Sequence, residues 1–82
     1  MQPSDIKLLI ESNLDTEIVE VNGDGRHFDA IVVSTAFDGL NAVKKQQLVY
    51  QALGNCFSDG SIHAFSVKTY TPQQWLEQQS HG

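Results

Sequence analysis

A dense turn signal at residues 22–25 constrains the fold of this chain more than any other feature. Asn22-Gly23-Asp24-Gly25 stands between two segments rich in β-branched residues, 16–21 and 27–34. Turn residues between two such runs are typical of an antiparallel hairpin. The second segment alternates two sets of residues: Phe28, Ala30 and Val32 in one, and Asp29, Ile31 and Val33 in the other. We therefore expect a two-stranded hairpin whose second strand buries one of its faces.

Apolar residues at helical spacing predict a helix on each side of this hairpin. The first covers residues 4–12, with Ser4 as its N-cap and Asp5 in its first turn. The second covers residues 41–56, after the break at Phe37-Asp38-Gly39. Their predicted apolar faces comprise Ile6, Leu9, Ile10 and Leu14 in the first helix, and Val43, Leu48, Val49, Ala52, Leu53 and Cys56 in the second.

The last part of the chain predicts a third strand at residues 61–69 and a short final helix. Thr71-Pro72-Gln73-Gln74 has the pattern of a capping box with proline at the first helical position. Trp75 and Leu76 are expected to pin this helix, and the tail is expected to be frayed from about residue 78. The predicted order is α-β-β-α-β-α. It describes a single α+β domain over residues 1–82, with a three-stranded mixed sheet covered by helices.

Two histidines are expected to lie at the same end of this sheet. The second and third strands are joined through a helix, and a crossover of that length joins parallel strands, which begin at the same sheet end. His27 opens the second strand and His63 lies near the start of the third. If these strands are neighbours, their backbones are about 5 Å apart.

This pair has two readings. Imidazole is a common metal ligand, but a zinc ion needs three or four protein ligands and an iron–sulfur cluster needs four. Two histidines would therefore form half of a metal site, completed by another molecule. In the alternative reading, His63 is a half-buried strand residue with local hydrogen bonds and His27 is an ordinary turn residue. His81, in the tail, is a weak candidate for either role.

The charge of the chain argues against broad binding to nucleic acids. Ten acidic and five basic residues leave a net charge of −5, whereas phosphate backbones attract positive surfaces. Lys44 and Lys45 form the one adjacent lysine pair, and Lys68 is a third basic residue expected nearby. These lysines either contact nucleic acid or belong to a solvated surface, which is the usual place for lysine.

The remaining sequence features predict a non-enzymatic protein of the cytoplasm. The sequence contains no Cys-x-x-Cys, His-Glu-x-x-His or Gly-x-Ser-x-Gly motif, and Cys56 is its single cysteine. A lone cysteine on an apolar helix face usually behaves as a small hydrophobic residue. The polar residues 1–5 lack a signal core and no apolar run spans a bilayer, so we expect a reducing compartment and no membrane.

Two motifs resemble the BolA family, and most of all its short acidic bacterial branch, the YrbA/IbaG type. They are Phe37-Asp38-Gly39 with the segment 43–50, and Ile62-His63-Ala64 with the segment 68–75. The resemblance implies a KH-like α+β fold, in which the chain lacks the GXXG loop of nucleic-acid-binding KH domains. Because family members have also been described as transcriptional regulators, nucleic-acid binding through Lys44, Lys45 and Lys68 stays open as the alternative function.

The resemblance also implies a partner and a cofactor. BolA proteins associate with monothiol glutaredoxins and share a [2Fe–2S] cluster with them and with glutathione. In that arrangement His63 and His27 occupy the positions of the two ligands from the BolA side. The resulting expectation is an adaptor in iron–sulfur cluster assembly or trafficking, with no cluster held tightly by the isolated chain, which is expected to be a monomer.

Overall fold

The computed structural model describes residues 1–54, 60 and 62–80. Within these residues the chain forms three helices and a three-stranded sheet. The elements are α1 (Pro3–Asn13), β1 (Ile18–Gly23), β2 (His27–Val33), a 3₁₀ turn (Thr35–Phe37), α2 (Ala42–Leu53), β3 (Ala64–Tyr70) and α3 (Pro72–Ser80). The predicted α+β fold and its α-β-β-α-β-α order are confirmed.

The strand order is β1-β2-β3, with β2 at the centre of the sheet. β1 and β2 form the expected antiparallel hairpin, and β2 and β3 are parallel, as the helical crossover requires. The parallel register pairs His27 with Ala64 at one end and Val33 with Tyr70 at the other. The prediction that the second and third strands begin at the same sheet end is therefore confirmed.

The core lies between one face of the sheet and the helices α1 and α2. Its buried residues are Ile6, Ile10, Val19, Phe28, Ala30, Val32, Phe37, Val49, Leu53 and Ile62. Asn13 ties the two helices together, because its Nδ2 donates to the carbonyl oxygens of Leu9 at 3.0 Å and Ala52 at 3.1 Å. Residues alternate between faces along a strand, so the other face of the sheet carries polar residues, among them Glu20, Asp29 and Lys68.

Two predicted apolar positions are exposed. Val43 is 63% exposed because it lies nine residues before the buried Ala52, about two and a half turns away and thus on the opposite side of α2. Leu76 is 64% exposed. α3 is held at its start by Trp75, whose ring centroid lies 5.3 Å from that of Tyr70.

The helix ends differ from the sequence prediction at three points. Gln2 rather than Ser4 is the N-cap of α1, because Pro3 suits the first helical position, and Asp5 Oδ2 accepts a 2.8 Å hydrogen bond from the Gln2 amide. α2 ends at Leu53, where Gly54 has a φ of 64°, and the predicted extension to Cys56 lies outside the described residues. α3 continues to Ser80, beyond the predicted start of fraying.

The strand ends also shift. β1 starts at Ile18 and continues to Gly23, so the turn itself is formed by residues 24–26. β3 starts at Ala64, and His63 therefore precedes the strand instead of lying within it. The predicted capping box of α3 is confirmed, since Thr71 Oγ1 accepts from the Gln74 amide at 3.2 Å and Gln74 Oε1 accepts from the Thr71 amide at 2.9 Å. Among the described residues, no helix combines the length and apolar character needed to cross a bilayer.

Candidate metal-ligand site

The two histidines lie at the same end of the sheet, His27 as the first residue of β2 and His63 just before β3. His27 is the first residue of β2 and pairs with Ala64, and His63 directly precedes Ala64. The Ala64 amide donates to the Arg26 carbonyl at 3.2 Å, so the pairing of the two chain segments extends to this end. Adjacent strands are about 4.8 Å apart, and the expected placement of the two histidines agrees with this register. Their role as ligands remains a prediction.

Both histidines are exposed. The side chain of His27 is 75% exposed, and His63 lies in a bend outside the strand, which differs from the alternative reading of a half-buried strand residue. An exposed neutral imidazole offers one ring nitrogen as a metal ligand without displacing protein packing. The position therefore leaves both rings accessible to a partner molecule.

Asp24 organises the loop that carries His27. Its Oδ1 accepts hydrogen bonds from the amides of Arg26 and His27, each at 2.9 Å, and its own amide donates to the His27 carbonyl at 3.2 Å. Gly25 completes the turn with a φ of 97°, a conformation that favours glycine. The hydrogen bond from the His27 amide, followed by that from Arg26, lowers the pKa of Asp24 below its ordinary value of 3.8.

The same carboxylate also faces the ring of His27. Asp24 Oδ2 lies 3.9 Å from His27 Nδ1, which is too long for a direct hydrogen bond and at the outer limit for an ion pair. Asp24 therefore contacts both the backbone and the side-chain region of His27. From the sequence, Asp24 is expected only to form part of a turn. The available signal was an aspartate two and three residues before the amides it caps, which is the spacing of an Asx turn.

The base of this loop is packed against the core. A Cβ added to Gly23 would lie 2.7 Å from the His27 carbonyl oxygen and still closer to the ring of Phe28. Phe28 is 1% exposed and belongs to the buried cluster under α1 and α2. The close approach at Gly23 and the burial of Phe28 therefore fix the position of the His27 backbone.

The three candidate nucleic-acid-binding lysines do not form one patch. The Lys44 amide donates to the N-cap Asn41, and Lys45 Nζ donates to Gln74 Oε1 at 3.3 Å, which joins α2 to α3. Lys45 and Thr69 line one cleft, whereas Lys68 borders a groove on the opposite face of the sheet. Neighbouring residues of a strand point to opposite faces, so the expected proximity of Lys68 to Lys44 and Lys45 is wrong. The groove beside Lys68 also contains Glu20 and Asp29.

A complete metal site is absent from the part of the chain that the structure describes. In residues 1–54, 60 and 62–80, no three His, Cys, Asp or Glu side chains are grouped so that they could hold a metal ion. Cys56 and His81 lie outside the described residues. The donor set described at this sheet end is thus a pair of imidazoles, which is half of what a zinc ion or iron–sulfur cluster needs.

A small α+β protein with a mixed β1-β2-β3 sheet and two histidines at one sheet end matches known proteins in both sequence and structure. The family model described as BolA-like protein matches residues 1–74. The chain is 44% identical over 75 residues to the acid stress protein IbaG of Escherichia coli, and this alignment covers 92% of the chain and 89% of IbaG.

Solved structures give the same result. A bolA homologue from Coxiella burnetii is 41% identical with a TM-score of 0.82, and the match covers 92% of this chain and 96% of that one. A bol-like protein from Babesia bovis is 28% identical with a TM-score of 0.80, covering 96% and 94%. The chain belongs to the BolA family. The expected likeness to the YrbA/IbaG type is confirmed by its identity to IbaG.

Proposed function

We propose that this protein is a non-enzymatic adaptor in iron–sulfur cluster assembly or trafficking. It binds a monothiol glutaredoxin and supplies His27 and His63 to a [2Fe–2S] cluster shared by the two proteins. The observation that carries this proposal is the placement of two exposed histidines at the same end of adjacent parallel strands. Membership of the BolA family supports the choice of partner.

The chemistry of the donor pair suits a shared cluster. A [2Fe–2S] cluster takes four ligands, and two of them can be histidines. A glutaredoxin cysteine and the thiolate of glutathione would supply the other two. The cluster is then cargo held between partners, and the isolated chain, which offers half of the ligands, binds it weakly. The exposure of both rings allows a partner to approach them without unfolding any element.

The alternative function, a nucleic-acid-binding transcriptional regulator, has less support. Lys45 and Lys68 line grooves on opposite faces of the sheet, and Lys68 stands among acidic residues. Because phosphate binding depends on several cations acting on one backbone, this division weakens the electrostatic attraction. No second function is therefore proposed.

The first experiment is anaerobic reconstitution of the cluster with the full chain, a monothiol glutaredoxin and glutathione. Size-exclusion chromatography and visible absorption would follow complex formation. We expect a one-to-one complex whose absorption spectrum differs from that of the glutaredoxin alone. Absence of any heterocomplex under these conditions would contradict the adaptor function.

Histidine variants then test the ligand assignment. His63→Ala and His27→Ala should each alter the visible spectrum of the complex or lower its yield, because one ligand of the cluster is lost. His81→Ala is the matched control, since it removes a histidine outside the predicted pair. A wild-type spectrum in both the His63 and His27 variants would refute the assignment even if the complex still forms.

A further inference from the structure

We propose that Asp24 is a positioning residue for His27. Its carboxylate favours the imidazole tautomer with the proton on Nδ1 and so leaves Nε2 free to bind the metal. This inference rests on the proposed function, because it assigns to Asp24 the orientation of one of the two proposed ligands. Asp24 itself is not one of the proposed metal ligands.

The Asp24 side chain contacts both the backbone and the ring of His27. Oδ1 of Asp24 holds the His27 amide at 2.9 Å, and Oδ2 faces the ring nitrogen Nδ1 at 3.9 Å. The contact with the amide fixes the backbone position of His27, and the contact with Nδ1 acts on its ring. A residue that only shaped the turn would need the first contact alone.

A nearby carboxylate influences which nitrogen of a neutral imidazole carries the proton. A neutral imidazole carries a hydrogen on one nitrogen and a lone pair on the other, and an ionised carboxylate only accepts hydrogen bonds. A carboxylate beside Nδ1 therefore favours hydrogen on Nδ1 and a lone pair on Nε2. Metal-binding histidines commonly show this arrangement, in which the nitrogen away from the metal donates to a carboxylate or a carbonyl.

The loop holds Asp24 in place. Gly25 adopts a φ of 97°, and Gly23 leaves no space for a side chain beside Phe28 and the His27 carbonyl. The Arg26 amide also donates to Oδ1, so two backbone groups orient the carboxylate. A direct hydrogen bond from Nδ1 to Oδ2 requires the exposed His27 ring to move closer to the carboxylate than 3.9 Å.

The solvent exposure of Asp24 and His27 limits how strongly the carboxylate favours one tautomer. The two side chains are 75% and 70% exposed, so solvent weakens their interaction. We therefore expect Asp24 to change the tautomer ratio of His27 by about twofold to fivefold in the free protein. Contact with a partner would exclude water and strengthen the same preference.

Asp24→Asn is the decisive variant. The asparagine keeps Oδ1, so it still accepts from the amides of Arg26 and His27 and preserves the turn. It replaces Oδ2 by an amide that donates hydrogen bonds, and this reverses the preference at Nδ1. Asp29→Asn is the matched control, because it removes the same charge from an exposed residue of β2 that faces the polar side of the sheet.

The first readout is long-range proton–nitrogen NMR of the His27 ring in the cluster-free protein at about pH 9, where an imidazole is neutral. Backbone amide shifts would establish that each variant is folded. We expect the population of the Nδ1–H tautomer relative to Nε2–H to fall about twofold to fivefold in Asp24→Asn and to stay unchanged in Asp29→Asn. An equal tautomer ratio in wild type and Asp24→Asn would overturn the proposal.

The second readout is the electron paramagnetic resonance spectrum of the reduced cluster in the glutaredoxin complex. Asp24→Asn should change this spectrum while Asp29→Asn keeps that of the wild type. A tautomer change without any spectral change would also overturn the positioning role. If the wild type itself forms no complex, the proposed function fails, whereas the NMR result on the cluster-free protein still decides whether Asp24 controls the His27 tautomer.

Discussion

Gly23 shows at the scale of a single residue why this loop tolerates little change. Its position lies between the His27 carbonyl oxygen and the ring of Phe28, where a Cβ would be too close to both. Phe28 is buried in the core, so its ring has no free space into which it could move. The requirement for glycine comes from this close approach and not from a positive φ.

We predict that Gly23→Ala lowers the free energy of unfolding by about 1–3 kcal/mol, the usual cost of overpacking a core. Asn22→Ala, at the neighbouring exposed position of β1, is the control and should change stability by no more than about 0.5 kcal/mol. Urea unfolding followed by circular dichroism measures both values. Equal stability of the two variants would show that the core adapts to the added methyl group.

At the scale of elements, α3 depends on the contacts at its first turn. Thr71 is 8% exposed and forms the capping box with Gln74, and Gln74 Oε1 also accepts from Lys45 Nζ of α2. The ring of Trp75 lies against Tyr70. In the described part of the chain, α3 has no fully buried residue, so these contacts at its start hold it to the sheet.

Thr71→Ala should destabilise the protein by about 1 kcal/mol, because the Gln74 amide loses its capping acceptor. The same urea titration measures this loss, and far-ultraviolet circular dichroism should show a small decrease in helix content. Gln73→Ala, the adjacent exposed position, is expected to remain within about 0.5 kcal/mol of the wild type. If Thr71→Ala leaves the free energy of unfolding unchanged, the Trp75 contact is sufficient to hold α3.

At the scale of the whole molecule, the distribution of charge separates the two functions that the sequence left open. The net charge is −5, and the two faces of the sheet divide the candidate lysines. A nucleic acid would therefore meet at most two of these lysines on one side of the protein. The histidine pair does not depend on this charge distribution, since the strand register alone brings it together.

We predict that the protein does not bind single-stranded or double-stranded DNA in fluorescence anisotropy at about 50 mM salt, where electrostatic binding is strong. The triple variant Lys44→Ala, Lys45→Ala, Lys68→Ala should give the same flat titration as the wild type. Binding by the wild type that weakens with added salt and disappears in the triple variant would instead support the regulator.

The sequence alone was sufficient for the order of elements, the hairpin, the parallel direction of β2 and β3 and the capping box of α3, whereas the direct pairing of β2 with β3 came from the structure. These features depend on local signals, namely turn residues, apolar periodicity and the length of a connection. The shared sheet end of His27 and His63 followed from the same reasoning, because parallel strands begin at the same end of a sheet. The N-cap at Gln2 was missed because Ser4 is the stronger cap by residue type, although Pro3 marks the actual start of α1.

Only the tertiary structure decided which apolar residues are buried and which polar residues act together. Val43 and Leu76 are exposed because the sheet covers one side of each helix, and sequence periodicity does not specify that side. Lys45 and Lys68 are separated by the sheet itself. The contact of Asp24 with the His27 ring depends on the folded geometry of residues 23–28, in which a core phenylalanine and two glycines set the direction of the loop. Such contacts arise from packing in three dimensions, which local sequence signals do not encode.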